Sequence, residues 1–222
     1  MKKRTFIAGP LALLLLATFS VPADTITLSA RSGSKMRMEG TSNIHDWQVE
    51  SPLILGAIQV GQSFPTAPGQ SVSPGKIEVK GEAYVRVTSM KSLKKDGTPY
   101  DEKMDEVMAE HLKAQANPKI MFHPTELTLK EAAKSKDTPY VFDAKGDLVV
   151  AGFTNAISFP VNVLPLGDKE NRIKISGITS LKMTDYKVEP PSPKFLPIHT
   201  GDDVKIIFDW MVAPKTVSAA SK

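Results

Sequence analysis

Apolar and polar residues alternate along most of the chain. In KIEVKGEAYVRV (76–87), Ile77, Val79, Ala83, Val85 and Val87 fall on one face, with Lys76, Glu78, Lys80, Glu82 and Arg86 on the other. In VKIIFDWMV (204–212) the apolar set is Val204, Ile206, Phe208, Trp210 and Val212. ISFPVNV (157–163) and RIKISGI (172–178) alternate likewise, and apolar runs recur at 25–30, 35–39, 53–60, 119–130 and 140–150. A period of two, with Gly, Pro, Asn, Asp and Ser between the runs, predicts about nine strands with one buried face each. Such spacing suits an antiparallel barrel or sandwich.

One segment breaks the pattern. In YDEKMDEVMAEHLKAQ (100–115), Met104, Val107, Met108, His111 and Leu112 recur at helical spacing, and Asp105, Glu106, Glu110 and Lys113 fall opposite. This predicts an amphipathic helix of about three turns, stopped by Asn117 and Pro118. A lone helix among strands lies most simply across the barrel as a lid or plug. Its Met-rich stripe also suits an adaptable gate over a lipid cavity, because unbranched methionine repacks around irregular apolar shapes. The stretches GQSFPTAPGQSVSPG (61–75) and EPPSPKFLPIHTG (189–201) are too rich in Pro and Gly for interior sheet and read as long loops.

The N-terminus changes the charge argument. Lys2, Lys3 and Arg4 precede a short apolar core, Leu11 to Phe19, and VPA (21–23) supplies small residues for cleavage after Ala23. That is the layout of a signal peptide, too short to span a membrane, so the chain is expected in the periplasm or secreted. Three of the 28 basic residues belong to this leader, which leaves 25 against 24 acidic ones and a net charge of +1. Nucleic-acid binding needs clustered excess positive charge, and none remains. With no cysteine, disulfides, thiolate nucleophiles and thiolate metal sites are all excluded. About 199 residues remain, enough for one sizeable core. One domain is expected from Asp24 to about Ala213, followed by a small polar tail, 214–222.

Catalytic motifs are scarce. GQSVSPGK (69–76) has one residue too many between its glycines for a phosphate loop, and Ile77 replaces the required Ser or Thr. No G-x-G-x-x-G, G-x-S-x-G or H-E-x-x-H occurs, and His45, His111, His123 and His199 stand far apart, so no metal site is expected. His45 and Asp46 invite a dyad reading. If 43–49 is a strand, however, His45, Trp47 and Val49 face inward and Asp46 faces away. His45 then reads as a neutral imidazole near a barrel mouth, structural or touching a ligand head.

Several segments, taken in order, resemble the YceI-like family, exported lipocalin-like barrels that bind polyisoprenoid lipids. They are GTSNIHDW (40–47), MDEVMAEHLKAQANPKIMF (104–122), GDLVVAGFTNAISFPV (146–161), LKMTDY (181–186) and GDDVKIIF (201–208). Two places depart from the family's pattern. Met104-Asp105 stands where an Arg-Asp-type pair is usual, and Lys182 to Tyr186 replaces an Arg-x-Asp-Phe-like piece. Both bear on head-group contacts and leave the barrel unaffected.

The resemblance implies an all-β, antiparallel, lipocalin-like eight-stranded barrel with one amphipathic helix over it. It also implies a binding function without chemistry, the ligand being a polyisoprenoid or isoprenoid quinone and no further cofactor being needed. Trp47, Val79, Val85, Phe122, Phe159, Phe208 and Trp210 are the expected wall. Met104, Met108 and Leu112 are the expected lid, and His45 and Tyr186 the polar mouth contacts. A transient membrane contact and a homodimer are compatible with such a carrier. Two other classes stay open on the residues alone. One is a hydrolase or isomerase acting on an apolar substrate; the other is a filled barrel serving as a protein-interaction module.

Overall fold

The computed structural model describes residues 25–192 and 197–215. The expected leader and most of the expected tail lie outside those residues. The elements run β1 (Thr25–Ala30), β2 (Lys35–Ser42), β3 (Trp47–Ser51), β4 (Leu55–Gly61), β5 (Lys76–Arg86), β6 (Lys91–Leu93) and α1 (Glu102–His111). They continue as β7 (Lys119–Glu131), β8 (Tyr140–Val150), β9 (Phe153–Pro165), β10 (Ile173–Lys182) and β11 (Thr200–Pro214).

Pairing gathers these eleven strands into eight staves. β1 and β2 lie end to end along β11, which meets β1 through Val212 to Pro214 and β2 through Thr200 to Asp209. β4 and β3 lie along β1 and β2, and β5 and β6 along β4 and β3. β7 to β11 follow as antiparallel neighbours, and the β1–β11 pairing closes the ring. The fold is thus a closed eight-stave antiparallel barrel in which each stave pairs with the next in sequence, the lipocalin-like arrangement. The strand count exceeds nine because three staves are each broken once.

Those breaks sit side by side. Residues 31–34, 52–54 and 87–90 interrupt three neighbouring staves at one level. A broken ladder leaves backbone groups unpaired, and here serine hydroxyls take them up. Ser34 Oγ donates to Arg31 O at 3.1 Å and accepts the Met211 N–H at 3.0 Å. Ser51 Oγ accepts the Leu53 N–H at 3.3 Å and lies 2.8 Å from Ser89 Oγ, which reaches Arg86 O at 2.7 Å. Ser51 is fully buried. Ser51→Ala should therefore lower stability by about 1–3 kcal/mol, the cost of stranding buried polar groups. Urea denaturation measures this, and an unchanged midpoint would show the hydroxyl row to be dispensable.

One end of the barrel is sealed. The segment 61–75, a loop as expected, folds under that end and buries Phe64, which stacks on Phe142 with ring centroids 6.2 Å apart. Tyr140 Oη donates to Gln70 O at 2.5 Å, and burial pushes its phenol above the ordinary value. The other end is split. Arg86↔Lys119 is the last pair between β5 and β7, and the Val87 N–H donates to Pro118 O at 3.0 Å. Past that point β6 pairs with β3, and α1, in the connection to β7, packs against β6. No helix among the described residues is long and apolar enough to cross a membrane.

Candidate functional site

Inward side chains of the staves leave an inner chamber of about 140 Å³. Val79, Val85, Phe122, Phe159, Phe208 and Trp210 all border it, so the six expected wall residues of the barrel body are brought together. Phe122 and Phe159 lie 5.2 Å apart by centroids, and Phe208 meets Phe159 edge-on at 5.9 Å, as aromatic quadrupoles prefer. Two glycines make room for these rings. A Cβ on Gly177 would sit 2.8 Å from Phe208 Cζ, and one on Gly146 would sit 2.8 Å from Phe122 Cζ and 2.3 Å from His123 O.

Above it lies a mouth chamber of about 770 Å³. Met36, Ile120 and Ile206 border both chambers and stand where the two adjoin. Trp47 lines the mouth chamber and folds over Gly40, its cross-strand partner, with Nε1 donating to Thr41 O at 3.1 Å. The helix spans a shorter range than its periodicity predicted, because Lys113 adopts a left-handed conformation (φ 53°) just after it. Its stripe holds nonetheless: Met104, Val107, Met108, His111 and Leu112 all line the mouth chamber.

Polar ties hold this helix. Asp101 Oδ1 caps the helix by accepting the Lys103 N–H at 2.9 Å. Asp105 accepts the Ser92 N–H of β6 at 2.7 Å and pairs with Lys91 at 3.1 Å, so one carboxylate both anchors the helix and satisfies an edge strand. His111 Nδ1 lies 2.8 Å from Glu189 O, and the Lys113 ammonium sits 5.0 Å over the Phe153 ring. Burial alone would raise the Asp105 pKa, but the Ser92 hydrogen bonds and Lys91 outweigh it and hold the carboxyl below its ordinary 3.8. A folded-state value below the unfolded one means the tether contributes fully above about pH 4 and is lost as the pH falls further. Amide exchange in α1 and β6 should accordingly be slow at pH 6. In Asp105→Ala it should rise about tenfold or more at the same pH, the size of a charge-assisted hydrogen bond. Equal exchange in both proteins would remove the tether from the account of the lid.

Two mouth expectations need correction. His45 does not face inward from a strand. β3 begins at Trp47, and His45 and Asp46 sit exposed in the preceding turn, both on the rim of the mouth chamber. Ser42 makes that turn: its Oγ accepts the His45 N–H at 3.1 Å and donates to His45 O at 2.7 Å. His45 Nδ1 lies 2.9 Å from the main-chain O of Asp46, and the imidazole ring stands 6.0 Å from Tyr100. Tyr186 borders neither chamber. It is 2 % exposed, in the 3₁₀ turn Met183–Tyr186, which Asp202 pins through Thr184 N–H (2.9 Å) and Oγ1 (2.6 Å). The turn abandons the strand period and carries the ring into the core, where burial raises its pKa.

Sequence reasoning missed Met36 and Met38, although KMRME (35–39) alternates as clearly as any strand. It also missed Ile120 and Ile206 as the junction, a property of where the chambers meet that no local pattern encodes. Among the described residues no cluster of His, Asp or Glu could hold a metal ion.

A closed eight-stave barrel with an apolar interior and a helix at its open end defines a lipocalin-like binding barrel. The YceI-like domain model matches residues 39–212, and the chain belongs to that family. Two solved structures share the fold. BcnA of Burkholderia cenocepacia is 15% identical, with a TM-score of 0.55 over 81% of this chain and 96% of that one. A polyisoprenoid-binding domain of Saccharophagus degradans, implicated in plant cell wall breakdown, is 12% identical, with a TM-score of 0.57 over 86% of this chain and 99% of that one. No curated protein sequence matches this chain.

Proposed function

We propose that this protein takes up one long apolar lipid, a polyisoprenoid or isoprenoid quinone, and carries or sequesters it unchanged in the periplasm or outside the cell. The observation that carries this reading is the pair of adjoining chambers, the inner one lined almost wholly by apolar side chains and the outer one bordered by a methionine-bearing helix. Each buried CH₂ contributes about 0.8 kcal/mol, so one five-carbon isoprene unit contributes roughly 4 kcal/mol gross. Three or four units exceed the roughly 8 kcal/mol of micromolar binding even after ordering costs. The description of the Saccharophagus domain as polyisoprenoid-binding supports the ligand class, and the leader at 1–23 supports export. The chambers weigh against a solidly filled interaction module. Two histidines weigh against hydrolysis: at the mouth, the Nδ1 atoms of His45 and His111 both lie beside main-chain oxygens, not beside a carboxylate of the described residues.

The wall in this reading is Trp47, Val79, Val85, Phe122, Phe159, Phe208 and Trp210. Met104, Met108 and Leu112 form the lid, and His45 lies at the rim as a polar contact. Native mass spectrometry and solvent extraction of the purified protein should recover one lipid per chain. Recovery of none, with no uptake of a polyprenol or quinone offered in vitro, would sink the reading.

A further inference from the structure

Trp210 holds the one buried side-chain nitrogen or oxygen, among the described residues, that has no hydrogen-bond partner. The residue is 5 % exposed and borders the inner chamber, opposite Ile175 on β10 and diagonal to Met36 on β2. An indole N–H donates and cannot accept. Native chains rarely leave such a donor unpaired, and the only other tryptophan satisfies its own through Thr41 O. Phenylalanine would fill much of the same space without that cost.

Water is a poor partner here. It needs two to four polar contacts, and the strand neighbours of Trp210 on the chamber face are Met36, Ile175 and Phe208. A phosphate or carboxylate is worse, because no cationic side chain lines the inner chamber to offset its desolvation. A neutral acceptor carried on an apolar body meets both conditions.

We propose that Trp210 Nε1 is a ligand contact: the inner chamber receives the end of a lipid that bears a neutral carbonyl oxygen, and the indole N–H donates to it. This rests on the lipid-binding reading above and adds a direction to it. The oxygen-bearing end lies deepest, Met36 repacks to admit it, and the hydrocarbon runs past Ile120 and Ile206 towards the lid.

Two probes of one skeleton test this, farnesylacetone (an isoprenoid methyl ketone) and the hydrocarbon lacking its oxygen. Titrated into the delipidated mature protein, the ketone should bind about 5-fold more tightly, the size of one net hydrogen bond. Trp210→Phe should erase that preference, bringing the two probes to equal affinity. A second readout needs no Trp210 variant. In ¹H–¹⁵N spectra of the wild-type protein, with the two indole signals assigned through Trp47→Phe, the Trp210 indole proton should move downfield with the ketone and not with the hydrocarbon. Equal affinities in the wild type, a preference that survives Trp210→Phe, or an indole signal that responds alike to both probes overturns the proposal and leaves lipid binding standing. Binding of neither probe removes the lipid-binding reading as well.

Discussion

Ile206→Trp should cut the affinity for a long lipid by about 100-fold or more while sparing a short apolar probe. Ile206 lies where the two chambers meet, with Met36 and Ile120 around the same junction. It is only half-buried, so a larger ring there extends into the passage more than it strains the packed wall. A ligand long enough to occupy both chambers would be held out of one of them. Losing a single isoprene unit from burial costs roughly 4 kcal/mol, which corresponds to 100- to 1,000-fold in affinity. Titration with prenols of increasing length reads the effect directly. The wild-type protein should gain affinity with each unit, and the variant should stop gaining once one chamber is full. Parallel length dependence in both proteins would show that the ligand does not cross the junction.

Gly146→Val should destabilise the fold by about 3 kcal/mol, although valine is the better strand former. The clash is with backbone: a Cβ at this position would stand 2.3 Å from His123 O and 2.8 Å from Pro124 Cα, besides meeting the Phe122 ring. β7 and β8 would have to part there, next to an existing bulge between Pro124 and Glu126. Urea unfolding followed by circular dichroism measures the loss. A stability within about 0.5 kcal/mol of the wild type, as for an ordinary surface change, would mean that the two strands separate at little cost.

The wall of the site was legible because strand periodicity is a two-residue rule and burial follows it directly. Val79, Val85, Phe208 and Trp210 were placed by alternation alone, and the lid stripe by helical spacing. His45 was misplaced because a serine-closed turn replaced the strand on which the alternation argument depended; one hydroxyl, Ser42 Oγ, decides that. Tyr186 was misplaced for a similar reason, since a 3₁₀ turn rotates its side chain off the period. The serine row at the stave breaks was invisible because its cause is non-local: Ser34, Ser51 and Ser89 answer breaks in three different staves. The orphan indole is likewise a property of the assembled interior, not of any short run of residues.

The ring closes between its first and last staves, and this sets when an interior exists at all. Every other seam joins staves that are consecutive along the chain, so its partners lie much closer in sequence. The final seam pairs β11 with Leu28, Ser29 and Ala30 of β1 and with Lys35 to Ser42 of β2, at opposite ends of the described chain. Contacts of such separation form late and slowly. A chain emerging from a ribosome or an export channel therefore offers open apolar strand faces, prone to aggregation, until the fifteen residues of β11 arrive. In the proposed lipid-binding reading, loading therefore follows the arrival of the last strand, which finishes the vessel.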